Sequence, residues 1–285
     1  MSIIQAIILG IIQGLTEFLP ISSTAHMTLF GVLSGLYDPQ NPESLTAILA
    51  IVQIGTLISV LAYFAKDIIS IAKAFVIENF RSKREKIHKQ SENARMGWFV
   101  ILGTLPIVTV GVLFKKIIEG TLTKDPLVIA SSLIVFALVL WWAESASKRT
   151  RGMKDLTLFD AIIVGFAQCI ALIPGASRSG TTITAGLFIG LNRETAARFS
   201  FLLSIPAVLA SGLYEAAKSF NVLSGTEIVS ITIATLVAGA IGYLSIAFFL
   251  NFLKKRSNIV FVVYRLLLGA AILFSLYNGV FDVIR

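Results

Sequence analysis

The chain alternates long apolar runs with short polar breaks. Six runs approach the ~20 residues that a helix needs to cross the ~30 Å hydrocarbon core of a bilayer. They lie at roughly 46–65, 97–114, 127–143, 196–217, 228–252 and 259–280. Four further apolar stretches, 3–19, 24–36, 160–173 and 180–191, are short for spans. They come in two pairs, one broken at Pro20 and the other at Pro174–Gly175. Segments of about 10–14 residues fit re-entrant elements better than full crossings. The pattern therefore predicts an all-α polytopic membrane protein, with two re-entrant helical hairpins plus about six transmembrane helices.

An internal repeat sharpens this. QAIILGIIQ at 5–13 matches DAIIVGFAQ at 160–168, with Ala, Ile, Ile, Gly and Gln in register. Each copy leads into a Pro-x-x-Ser break, Pro20 to Ser23 and Pro174 to Ser177, once a one-residue gap is allowed. The reading is a single integral membrane domain over 1–285, built from repeats at about 1–145 and about 156–285.

Charge orients the halves. The basic residues concentrate in 66–95 (including Lys73, Arg81, Lys83, Arg84 and Lys89), in 148–154, at Arg193 and Arg198, and at Lys254, Lys255 and Arg256. Arg285 is among the few basic residues of the other loops. Placing the first set inside satisfies the positive-inside rule. The first hairpin then opens outward and the second inward. The repeats have inverted topology, and both termini are expected outside.

Composition narrows the classes. Of 285 residues, 56% are hydrophobic and only 14% charged. The net charge of +8 has no soluble basic domain to carry it, so it reports orientation, and no nucleic-acid partner is expected. The stretch MSIIQAIILG lacks a basic n-region, so no cleavable signal peptide is expected. Cys169 is the one cysteine and reads as inert packing. The polar stretch 78–97 reads as a solvated loop, in part a helical extension of the preceding span. His88 within it has no metal-ligand spacing. Pro106 and Pro206 should kink their helices. Small residues such as Gly186 and Gly190 allow a homodimer contact.

Ionisable residues at membrane depth are costly and are functional candidates by default. Here they are Glu17, His26 and Arg178, with Gln13, Gln53, Gln168, Ser22, Ser23, Ser177, Ser179 and Thr182 nearby in sequence. Gln13 and Glu17 share a helix face at four-residue spacing. Any of Ser22, Ser23 and Thr24 can cap the helix that follows. Helix N-termini at two hairpin tips aim free N–H groups at one point and make an anion site. Arg178 adds a guanidinium fork suited to phosphate oxygens. Glu17 beside an anion calls either for a bridging divalent cation or for a role as base toward Ser23, His26 or water. Spacing reaches oxyanion chemistry in a membrane and stops there.

QGLTEFLPISSTAH at 13–26 and PGASRSGTT at 174–182 resemble the signatures of the undecaprenyl-pyrophosphate phosphatase family of the bacitracin-resistance type. The similarity extends over the whole chain in length, hydropathy and motif order. It implies a bacterial cytoplasmic-membrane hydrolase. Such an enzyme removes one phosphate from an isoprenoid diphosphate lipid, recycles the carrier for cell-wall synthesis, confers bacitracin resistance and depends on Mg²⁺ or Ca²⁺. By motif position it implies a metal site at Glu17 and Gln13, the latter standing where many relatives carry Glu. It implies Ser23 as nucleophile with His26 as partner, and phosphate binding by Arg178, Ser177, Ser179, Thr182 and Ser22. It favours substrate entry from the outer face. The rival reading is a polyprenyl-phosphate flippase or transporter using the same anion site without Ser23 and His26 chemistry.

Overall fold

A computed structural model describes residues 1–36, 42–80, 86–120, 124–219 and 225–279. Arg81, Lys83, Arg84 and Arg285, used above to orient the chain, lie outside the described residues. The helices in order are α1 (Ile3–Thr16), α2 (Ser23–Leu33), α3 (Pro42–Tyr63), α4 (Ala65–Phe80), α5 (Glu92–Leu113), α6 (Lys115–Glu119), α7 (Pro126–Ala146), α8 (Leu158–Ile170), α9 (Arg178–Phe188), α10 (Arg193–Ser219), α11 (Gly225–Leu253) and α12 (Ile259–Tyr277). Among the described residues there is no strand; one isolated bridge joins Arg151 and Leu191. The protein is all-α, and six of its helices are long and apolar enough to cross a membrane.

Those six helices fall on the six predicted runs: Leu45–Tyr63, Glu92–Leu113, Pro126–Ala146, Arg193–Tyr214, Glu227–Leu253 and Ile259–Tyr277. Of the polar stretch 78–97, residues 78–80 continue α4 and 92–97 open α5, and 81–85 lie outside the described residues. Helix α4 follows α3 with only Phe64 between them. Its end is tied to the start of α5 by Ser91 donating to Glu78 and by Gln90 and Trp98 donating to Asn79. His88 sits exposed in a short 3₁₀ turn. Pro106 and Pro206 lie inside α5 and α10.

The short helices form two hairpins. Gln5 at the start of α1 donates to the Ser34 carbonyl after α2, so both legs of the first hairpin return to one end. The second is closed likewise, where Arg151 ahead of α8 bonds the backbone of Gly190 and Asn192 after α9. Packing around the two corresponds. Helix α1 lies against α11, and α8 lies against α5. A Cβ on Gly10 would stand 2.5 Å from the Ala234 carbonyl oxygen, and one on Gly165 would stand 2.3 Å from that of Gly103. Only glycine permits backbones this close. Contacts of α3 with α10 and of α7 with α12 join the first half of the chain to the second.

One end of the molecule gathers charge. Buried Glu144, at the end of α7, pairs with Arg149 at 3.2 Å and with Arg193 at the start of α10. It also accepts from the Asn258 side chain ahead of α12 at 2.9 Å. Arg151 pairs with Asp160, and Arg198 with Asp67. Described residues of the basic segments thus gather at one end of the molecule. The chain's start is at the other end, where Ser230 near the beginning of α11 donates to the Met1 carbonyl.

Candidate active site

Both hairpin tips are built the same way. Helix α1 stops at Thr16, the chain turns through Pro20, and Ser22 caps α2. Helix α8 stops at Ile170, the chain turns through Pro174–Gly175, and Ser177 caps α9. The capping serines have φ of 71° and 72°, in the left-handed region that a non-glycine residue rarely adopts. Each hydroxyl accepts from the N–H three residues on, Ala25 for Ser22 and Gly180 for Ser177. Ser22 therefore corresponds to Ser177 and Ser23 to Arg178. The same offset relates Gln13 to Gln168 and Gly10 to Gly165, so the repeat runs without the expected one-residue gap. The cap is Ser22, and Ser23 and Thr24 lie within the first turn of α2.

The tips meet. Ser179 donates to the Leu19 carbonyl at 2.9 Å, and Arg178 Nη2 lies 2.5 Å from Glu17 Oε1. Next to Glu17, buried Phe18 packs edge-to-face on Phe201 of α10 with centroids 5.2 Å apart, which fixes the tip from below.

Glu17 is 5% exposed and is the hub. Its Oε2 accepts from Gln13 Nε2 at 2.9 Å and from Ser23 Oγ at 2.7 Å. Its Oε1 accepts from Gln53 Nε2 of α3 at 2.7 Å as well as from Arg178. A carboxylate has about four lone-pair positions, and all are used. The hydroxyl of Ser23 thus has a carboxylate acceptor already in place.

His26 lies apart from that pair. Its Nδ1 is 2.8 Å from the Ser22 carbonyl oxygen, and its Nε2 is 2.7 Å from the Tyr264 hydroxyl. Among the described residues its side chain bonds neither Ser23 nor Glu17. The candidate phosphate ligands also divide. Arg178 keeps Nε and Nη1 buried with no hydrogen-bond partner, an orphaned donor capacity aimed at no protein group. First-turn N–H groups at Ser23, Thr24, Arg178 and Ser179 have no intrahelical acceptor by helix geometry. Ser22 and Ser177 are occupied as caps. Thr182 is fully buried, sharing a hydrogen bond with Ser200 at 2.6 Å and donating to the Arg178 carbonyl.

The sequence reading missed Arg265 and Tyr264. Arg265, in the middle of α12, is 0% exposed. It donates to the carbonyls of Pro20 at 3.4 Å and of Gly175 and Ala176 at 3.1 Å, clamping both tips at once. An arginine inside an apolar span is a signal in its own right. It was available in VVYRLLLG at 262–269 and was lost in the average over a long apolar run.

A divalent cation needs hard oxygen ligands. Among the described residues no group of three or more His, Cys, Asp or Glu could hold one. Glu17 supplies one carboxylate, and the amides of Gln13 and Gln53 point at it and carry oxygens of their own. Mg²⁺ is commonly held by one or two carboxylates together with substrate phosphates, without an all-protein cage. With Arg178 and the two amide N–H groups turned on it, Glu17 has no open position here; a cation of that kind, completed by phosphate oxygens, would fit Glu17, Gln13 and Gln53 once Arg178 turned to the phosphate and the amides presented their oxygens.

Residues 6–271 match the family model described as Bacitracin resistance protein BacA. The chain belongs to this family. Relatives match over nearly the whole of this chain. A protein of Syntrophobacter fumaroxidans named undecaprenyl-diphosphatase is 52% identical over 279 residues, covering 98% of this chain and 99% of that one. One of Chloroherpeton thalassium with the same name is 53% identical over 288 residues, covering 98% of each. One of Chlorobium phaeobacteroides, also so named, is 50% identical over 288 residues. With six apolar helices, this BacA-family chain is a multi-pass membrane protein.

Proposed function

We propose that this protein hydrolyses undecaprenyl diphosphate to undecaprenyl phosphate and phosphate. The observation that carries the reading is the chain Ser23–Glu17–Arg178 across the two tips. It sets a hydroxyl 2.7 Å from a carboxylate, which itself stands 2.5 Å from an arginine with two unpartnered nitrogens. The names of the relatives supply the substrate.

The residues divide the work as follows. The terminal phosphate docks at the N-termini of α2 and α9 and draws the Arg178 fork to its oxygens. Arg178 then no longer holds Glu17 Oε1, while Oε2 stays on Ser23 Oγ as its proton acceptor. Ser23 Oγ attacks the terminal phosphorus, its proton passes to Glu17 Oε2, and the bond from phosphorus to the bridging oxygen breaks. Undecaprenyl phosphate departs. Water attacks the phosphoserine, His26 Nε2 takes the water's proton, and Glu17 returns its proton to Ser23 Oγ as phosphate is released. A bound Mg²⁺ or Ca²⁺, held by Glu17, Gln13 and Gln53, would neutralise the diphosphate charge and polarise its oxygens.

Lengths and charge support one membrane arrangement. Helix α1 has 14 residues and α8 has 13, so each reaches only ~20 Å of the ~30 Å hydrocarbon core. Together with the hairpins' return to their own ends, this supports two re-entrant elements within inverted repeats, about 1–145 and 156–285. The gathered basic residues support a cytoplasmic location for that end, with the N-terminus outside, in the bacterial cytoplasmic membrane.

The test is phosphate release from undecaprenyl diphosphate by purified protein in detergent, with Mg²⁺ or Ca²⁺. Ser23→Ala and Glu17→Gln should each lower kcat by about a hundred-fold or more. Wild-type release by both variants would sink the catalytic assignment. Absence of release by the wild type, with lipid phosphate translocated in vesicles, would favour the flippase reading.

A further inference from the structure

Tyr264 touches His26 from α12 and has no role in the chemistry given above. The two rings stack, with centroids 5.6 Å apart and planes 8° apart, and Nε2 of the histidine lies 2.7 Å from the tyrosine oxygen. The other ring nitrogen, Nδ1, is 2.8 Å from the Ser22 carbonyl oxygen. A carbonyl only accepts, so Nδ1 carries a proton. In the neutral ring Nε2 is then a bare lone pair, and the Tyr264 hydroxyl donates to it. Once the ring gains a proton, Nε2–H donates and the same hydroxyl accepts.

We propose that Tyr264 positions His26, holding Nε2 as the proton-accepting atom in a fixed ring orientation, and that the water's proton reaches Nε2 through this hydroxyl, which gives its own proton to Nε2 as its oxygen takes up the water's, so that one partner serves both charge states. The inference rests on the phosphatase reading for its kinetic consequence, but not for its structural one. The neighbouring residue secures the placement. Arg265 is bonded to Pro20, Gly175 and Ala176, so α12 cannot slide relative to the tips without breaking those contacts. Tyr264 is thereby set against the first turns of α2. Its ring is half-exposed, so the histidine–tyrosine pair stands at the rim of the tip junction and not in the sealed core.

Two measurements test this. The chain has two histidines, so His88→Gln in the exposed 3₁₀ turn leaves His26 as the single imidazole for ¹⁵N spectroscopy in detergent. The expected spectrum of the neutral ring shows a protonated Nδ1, with Nε2 displaced from its free lone-pair position by an accepted hydrogen bond. Tyr264→Phe should return Nε2 to the free position. In the phosphate-release assay, the same variant should lower kcat by about ten- to a hundred-fold, the effect of removing one hydrogen bond to a charged group, with KM nearly unchanged. Tyr277→Phe, at the exposed end of the same helix, should match wild type in both measurements.

If Tyr264→Phe does not fold, site-specific 3-fluorotyrosine at 264 keeps the shape and makes the phenol a stronger donor. It should move Nε2 further from the free position. A wild-type spectrum with the proton on Nε2, an Nε2 resonance indifferent to Tyr264, or a loss confined to KM would each overturn the proposal. If the wild type releases no phosphate, the phosphatase reading fails, and the spectra alone still decide whether Tyr264 positions His26.

Discussion

Arg178 Nη2 and Glu17 Oε1 stand 2.5 Å apart, a charge pair that joins the two halves of the chain at their hairpin tips. Both side chains are largely buried, at 13% and 3% exposure. Removing one partner strands the other, a loss of about 3–5 kcal/mol for a buried pair. Glu17→Gln and Arg178→Gln should therefore each lower the unfolding midpoint in detergent. The double variant should lose less than the sum, by about 1–3 kcal/mol of coupling. Strict additivity would show that the pair does not hold the tips together.

The capping serines make an opposing pair of effects measurable. At Ser177, with φ of 72°, alanine loses the cap and keeps the strained backbone. Glycine loses the same hydroxyl but relaxes the strain. Ser177→Ala should cost about 1 kcal/mol or more, whereas Ser177→Gly should cost only a few tenths or nothing. Thermal melts of the two variants would show the order, and an alanine at least as stable as glycine would contradict it.

Metal should act on turnover and not on the fold. Every lone pair of Glu17 is met by a protein donor, so no vacant anionic site needs a cation for stability. Chelation should suppress phosphate release by more than about a hundred-fold, the scale of a lost Lewis acid. The melting temperature should stay where it was. Mg²⁺ together with inorganic diphosphate should raise that temperature, while Mg²⁺ alone should not. A large shift with Mg²⁺ alone would mean a preformed cation site.

Gln168 is the counterpart of Gln13, yet it is fully buried with both amide atoms unpartnered. The position four residues on is Leu172, where the first half has Glu17. An orphaned buried amide costs about 1–3 kcal/mol. Gln168→Met should raise the melting temperature and leave phosphate release at the wild-type rate. A fall in kcat without a fall in stability would give Gln168 a part in the reaction.

The spans were legible because a bilayer imposes a length, and runs of about 20 apolar residues have few other uses. The hairpins were legible because their runs are short and broken by proline. The choice of cap was not, because Ser22, Ser23 and Thr24 have equal capping chemistry and only the left-handed backbone at Ser22 separates them. Gln53 was named as a polar candidate, but its bond to Glu17 depends on how α3 packs near α1, which no local pattern encodes. Arg265 was hidden by averaging. The span Ile259–Tyr277 has a mean hydropathy of 2.4, above that of the other five, with the arginine included. A single charge barely moves such a mean, while its three bonds to the tips fix the geometry of the site.

The clamp at Arg265 also sets an order of assembly. Helix α12 follows every other described helix in the chain, so both tips are synthesised before the side chain that ties Pro20 to Gly175 and Ala176 exists. Ser23, Glu17 and Arg178 are made early. The clamp on the backbone of both tips is made late. A growing polypeptide thus carries the groups proposed to react before it carries their clamp, and the tips gain their shared anchor only when the span bearing Arg265 docks against α7.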